Sequence, residues 1–146
     1  MKKILLVLIA ITLIISGCEK YEYNSTMKKI CGGYTLKTYT VNGMDSLSSY
    51  KDSLGTDFIF YYDETEDGYY HRIEGDRPDG KQVYVGSKWG LYNNRNVLGI
   101  YESNGYIGIG PFGRGKVSNW VILNLTKEEL KMKSNYNGKE YMIELE

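Results

Sequence analysis

The most suggestive spacing in the chain lies between Gly108 and Lys116. Gly108, Gly110 and Gly113 have the glycine spacing of a dinucleotide-binding loop, and Gly110 to Lys116 (GPFGRGK) matches the first seven positions of a phosphate-binding loop. Both chemistries need a helix straight after the loop, because the backbone N–H groups of its first turn hold the phosphate. Here Val117 and the residues after it are β-patterned, Val117 stands where a metal-binding Ser or Thr belongs, and Pro111 removes a donor. The remaining uses of the loop are a plain connection between strands or a rim presenting Phe112, Arg114 and Lys116, one aromatic and two cations. Asp63, Asp67, Gly68 and Glu74 fall at positions 1, 5, 6 and 12 of a calcium loop. Their flanks read as strands rather than helices, so an acidic hairpin turn explains the same letters. His71 is the sole His, too few for a zinc cage, and nothing in the sequence brings it to Cys31. Carboxylates for glycoside hydrolysis are present, but they gather in turns, where solvation is their ordinary role. The expectation is a protein with no catalytic residues, no cofactor and no metal ligands.

Composition narrows the classes further. The 146 residues carry 18 Lys or Arg and 18 Asp or Glu, a formal net charge of zero. A nucleic-acid surface needs a basic excess, so no nucleic acid is expected as partner. The length suits one domain, and with 42% apolar residues and two Pro the chain is not disordered. Fifteen Tyr are unusual for this length. Tyr combines contact area, a polar tip and low rotamer entropy, which suits a recognition surface; it also suits ordinary strands.

The elements that would position these residues are mostly strands. Tyr34 to Val41 is β-branched and aromatic and closes with Asn42-Gly43. Asp45 to Leu54 is the one helical candidate: Asp45 caps it, Leu47, Tyr50 and Leu54 share a face, and Gly55 ends it. Further strands are expected at Phe58–Tyr62, Tyr69–Glu74, Gln82–Tyr92, Val97–Glu102, Tyr106–Ile109, Val117–Leu125 and Leu130–Lys133. In Gln82–Tyr92, Val83, Val85, Ser87, Trp89 and Leu91 share one face. After Asn137-Gly138, a strong hairpin signal, the final strand alternates Tyr141, Ile143 and Leu145 with Glu140, Met142 and Glu144. About nine strands at this spacing, joined by short connections, predict an antiparallel meander. Its simplest closure is a small all-β, up-and-down β-barrel of about eight or nine strands with one short helix after the first strand, which also removes the sheet edges.

The first residues carry a different signal. Lys2 and Lys3 precede Ile4 to Ile15, apolar except for Thr12 and too short to span a bilayer. Ile15-Ser16-Gly17-Cys18 then resembles the lipobox of bacterial lipoproteins. That resemblance implies a signal peptide over 1–17, a diacylglycerol thioether on Cys18 with acyl chains such as palmitate, and a membrane partner through that anchor. It also leaves Cys31 without an intramolecular partner. Residues 18–32 read as the lipidated N-terminus and a tether, with a short ordered stretch near Met27–Ile30, and 33–146 as the barrel domain.

Within that domain, Gly33-Tyr34-Thr35-Leu36, Tyr39 and Val41-Asn42-Gly43 resemble the first strand of the lipocalin-like domains of bacterial lipoproteins, with Tyr34 where that family carries Trp. Lys88-Trp89-Gly90-Leu91 is similar to the family's middle strand. Trp120-Val121-Ile122 through Leu125-Thr126, then Leu130-Lys131-Met132, is similar to its closing hairpin. The resemblance implies a lipid-anchored barrel in the bacterial cell envelope, at the inner or the outer membrane. The functional expectation is a non-enzymatic binding module holding a small apolar or amphipathic ligand, lined by Tyr34, Phe60, Trp89 and Trp120. The same four residues are the expected core, and an eight-stranded barrel is only just wide enough for its own side chains. The alternative is therefore a filled barrel that binds an envelope protein or a glycan. Asp45-Ser46-Leu47 and Asp52-Ser53-Leu54 also resemble the acceptor motif of a bacterial O-glycosylation system.

Overall fold

A computed structural model of the chain describes residues 25–51, 55–65, 68–76, 80, 82–101, 110–112 and 117–146. Residues 25–30 form a short helix, α1. There follow β1 (Gly32–Val41), β2 (Met44–Asp45), α2 (Leu47–Lys51), β3 (Asp57–Asp63), β4 (Gly68–Asp76), β5 (Gln82–Tyr92) and β6 (Val97–Tyr101). A 3-10 turn at Gly110–Phe112 precedes β7 (Ser118–Leu125), β8 (Leu130–Tyr136) and β9 (Lys139–Leu145). Every pairing is antiparallel, each long strand lies beside its sequence neighbour, and β1 also pairs with β9. Eight strands thus close into an up-and-down barrel, while β2 is an extra strand on the flank of β1. The expected fold is the observed one.

Local chemistry explains the turns. Asn42-Gly43 and Asn137-Gly138 all have positive φ, from 50° to 76°, the backbone of the two-residue hairpin turn whose twist matches the flanking strands. In α2 the Ser46 carbonyl accepts the first helical bond from the Tyr50 N–H at 3.0 Å, and the Asp45 carboxylate accepts from the Leu47 N–H at 3.0 Å. The helix buries Tyr50, as its apolar spacing predicts; Leu54 lies outside the described residues.

Alternation along the strands sends one set of side chains inward. Leu36, Phe58, Phe60, Ile73, Leu98, Ile100, Trp120, Met132 and Ile143 are all buried there. Burying such side chains stabilises the fold by roughly 1.5–3 kcal/mol each. The rings meet one another: Phe60 and Trp89 edge to face at 5.6 Å, Phe58 and Phe112 at 5.6 Å, Phe112 and Trp120 stacked at 5.0 Å.

Helical segments mark both ends of the barrel. Tyr50 of α2 packs on Tyr39 at 4.5 Å at the end that also holds the Asn137-Gly138 turn. At the other end, Met27 and Ile30 of α1 join the core while Lys28 and Lys29 face out. A helix therefore lies within the stretch read from sequence as a tether, at the place of the short ordered stretch expected near Met27–Ile30. The reason is the i, i+3 pair Met27 and Ile30, enough for one turn of helix to bury against a barrel mouth. The signal-peptide and Cys18 assignments, and the strand expected at Tyr106–Ile109, lie outside the described residues.

Candidate functional site

The β3–β4 hairpin and α1 build an open cleft at the α1 end of the barrel. The register pairs Tyr62 with Tyr69 and Tyr61 with Tyr70 across the hairpin, and Gly32 with Phe60 across β1 and β3. These pairings, with α1 lying alongside, leave a depression of about 620 Å³ lined by Lys28, Cys31, Gly32, Phe60, Tyr61, Tyr62 and Tyr69. Tyr62 and Tyr69 form an angled wall with ring centres 5.0 Å apart, and Tyr69 is backed edge-on by Trp89 at 5.2 Å. The Trp89 indole N–H donates to the Tyr70 carbonyl at 3.0 Å, and the Tyr34 hydroxyl donates to the Lys29 carbonyl at 3.0 Å, tying α1 to the barrel. Tyr62 is 44% exposed. Burial pushes the half-buried Cys31 thiol above its ordinary pKa, so it stays protonated and weakly nucleophilic near neutral pH. Burial, and secondarily Cys31, raises the Tyr34 phenol in the same way.

The four residues expected to line a ligand are all buried, and the structure divides them. Tyr34, Phe60 and Trp89 come together near the α1 end, with Tyr34 edge-on to Phe60 at 6.1 Å. Trp120 lies apart from that trio, its indole N–H donating to Ser118 Oγ at 2.9 Å while its ring stacks on Phe112. Of the four, only Phe60 lines the cleft; the others pack against core rings. Phe112, expected at an exposed rim, is 1% exposed, because the turn at Gly110–Phe112 carries its ring in among Tyr50, Phe58 and Trp120. Arg114 and Lys116 lie outside the described residues.

Sequence reasoning missed Tyr61, Tyr62, Tyr69, Lys28 and Cys31. A signal for three of them was present: the doublets Tyr61-Tyr62 and Tyr69-Tyr70 flank one hairpin turn, so pairing must set Tyr rings opposite Tyr rings. The acidic turn between them is a turn in fact, with the Asp63 carboxylate accepting from the Thr65 N–H at 2.9 Å. Glu66 and Asp67 lie outside the described residues. Among the described residues, no three His, Cys, Asp or Glu side chains group closely enough to hold a metal ion.

The second polar feature is inside the barrel. His71 on β4 faces Ser87 on β5, with Ser87 Oγ 2.7 Å from His71 Nδ1. His71 is 1% exposed, stacks on Phe60 at 5.6 Å, and has no hydrogen-bond partner at Nε2. Burial lowers its pKa to about 4, with a bond at Ser87 opposing the shift. The imidazole is therefore neutral at physiological pH. A Ser beside a His has the form of a nucleophile and base, but both are buried among core rings and neither lines the cleft beside α1.

No protein-family model, no curated protein and no solved structure matches the chain.

Proposed function

We propose that the chain is a bacterial lipoprotein, anchored in the cell envelope through Cys18, whose lipocalin-like barrel is a non-enzymatic binding module for a small amphipathic ligand. The ligand sits in the cleft beside α1 and not along the barrel axis. The observation that carries this reading is the cleft itself: about 620 Å³, lined by Phe60, Tyr61, Tyr62 and Tyr69, with Lys28 at its edge and the Tyr62 and Tyr69 rings forming a wall. Sites for small molecules commonly have 300–1,000 Å³, a mostly apolar lining and a few polar groups. The core rings that fill the barrel mid-section support a site at its end.

The test uses the chain starting at Lys20, purified without denaturant and examined by native mass spectrometry. One stoichiometric adduct is expected, lost on organic extraction and weakened about tenfold by Tyr62→Ala, which removes an exposed wall at a cost of about 1.4 kcal/mol. A bare mass, with no thermal shift from fatty-acid and isoprenoid panels, would sink the reading.

A second reading, a filled barrel that binds an envelope protein or a glycan, is favoured by the outer face of β5–β7. There Gly90 pairs with Gly99, and the rings of Tyr101 and Tyr92 lie over them, edge to face at 5.8 Å. Tyr92 and Val121 are exposed beside this pair. Capture of a partner that is lost in Tyr92→Ala and kept in Tyr62→Ala would select it.

A further inference from the structure

The cleft lies at the end of the barrel from which the anchor departs. Only residues 19–24 separate Cys18 from α1. Seven peptide steps reach at most about 25 Å when fully stretched. The opposite end is a strand length further away. The eleven residues of β5, rising ~3.3 Å each and tilted ~40° as in barrels of this size, cover about 28 Å along the axis. On the lipoprotein reading, the anchor holds the α1 end near the bilayer and the α2 end away from it.

The chemistry of the α1 end fits that position. Tyr61, Tyr62 and Tyr69 gather there, and Tyr is the residue type that concentrates at membrane–water interfaces. Among the described residues the charges are mixed: Lys28, Lys29, Arg95 and Lys127 stand with Asp63, Glu64, Glu128 and Glu129. Such a surface has no basic excess to draw it to anionic lipid, so ring contacts and local pairing must supply the interaction. Lys28 at the cleft edge can donate to a phosphate, and the faces of Tyr62 and Tyr69 suit an alkylammonium group.

We propose that the barrel stands on its membrane with the α1 end down, and that the cleft between Lys28 and the Tyr62–Tyr69 wall takes the headgroup of a zwitterionic phospholipid from that membrane. This rests on the lipoprotein reading and names the ligand class for the proposed site.

The test uses the full acylated chain in phosphatidylcholine vesicles containing headgroup-nitroxide lipid. In a Cys31→Ser background, a fluorophore is placed at Lys127→Cys, on the turn at the α1 end, or at Lys139→Cys, the first residue of β9 at the α2 end. Quenching at the Lys127 position is expected to be at least threefold stronger. Tyr62→Ala together with Tyr69→Ala is expected to cut that difference by half or more. Equal or reversed quenching overturns the orientation. An unchanged difference in the double variant overturns headgroup binding in the cleft, because the tether alone then orients the barrel. A difference that grows when anionic phosphatidylglycerol replaces phosphatidylcholine overturns the zwitterionic assignment. Mass spectrometry of the same sample separates the two levels: no acyl mass on Cys18 removes the anchor and the inference with it, whereas an acylated chain with equal quenching removes the inference alone.

Discussion

Lowering the pH from 7.5 to 5 should destabilise the fold through His71. Its imidazole is buried against Phe60, bonded at Nδ1 to Ser87 and unpartnered at Nε2. Burial holds its pKa at about 4, against an ordinary 6.5. The unfolded chain therefore takes up the proton at a higher pH than the folded one, and protonation favours unfolding. Stability from the neutral ring is complete above about pH 6.5. It declines as the pH falls toward 4, where the loss levels off at about 3 kcal/mol. Between pH 7.5 and 5 the expected loss is about 2 kcal/mol, at roughly 1.4 kcal/mol per unit. Urea midpoints at the two pH values, in the chain from Lys20 and in its His71→Phe variant, would measure it. Phe keeps a ring beside Phe60 but removes the 2.7 Å bond to Ser87 Oγ, leaving that hydroxyl only its long 3.4 Å bond to the Lys88 carbonyl. The variant should lose about 1–3 kcal/mol at pH 7.5 yet show a much flatter pH dependence. Equal wild-type stability at both pH values would refute the reasoning. So would an undiminished 2 kcal/mol drop in the variant, which would assign the effect to other groups.

Three further outcomes follow from packing and burial. A methyl on Gly55 would overlap the Glu74 backbone carbonyl, which cannot swing aside, whereas one on Gly99 would meet only the movable ring of Tyr92. In urea denaturation Gly55→Ala should cost about 3 kcal/mol and Gly99→Ala about 1 kcal/mol; equal losses would contradict this. Phe112→Ala should destabilise by about 3–4 kcal/mol if its ring fills the space among Tyr50, Phe58 and Trp120. A loss under about 1 kcal/mol would instead put that ring in solvent. Cys31, half-buried and with a raised pKa, should react with iodoacetamide at pH 8 at least about tenfold more slowly in the folded chain than in urea. Similar rates in both would show an open thiol.

Burial patterns account for both the fill of the barrel and the position of the cleft. The strands carry large inward side chains at mid-height, where eight strands leave little spare width. Towards the α1 end, α1 turns only Met27 and Ile30 inward. Two apolar side chains on one turn of helix cover part of the mouth, and the β3–β4 hairpin stands beside them. The cleft is the space left between a short helix and the Tyr62–Tyr69 wall of that hairpin.

What could be read directly was local. Asn42-Gly43 and Asn137-Gly138 specify their turns through positive φ, and alternation in Tyr141–Leu145 specifies which face is buried. Asp45 and the spacing of Leu47 and Tyr50 specify α2. These signals act over two to eight residues, so they were legible without partners, and short connections then implied the meander. The closure of β1 on β9, the entry of Phe112 into the core, the meeting of His71 with Ser87 and the pairing of Tyr62 with Tyr69 were decided only in three dimensions. Each joins residues whose own neighbourhoods are equally compatible with other faces or partners. An apolar ring in a loop or two tyrosines at a turn have no local reason to be inside or outside. The barrel supplies that reason by fixing which mouth each one meets and how much room is left there.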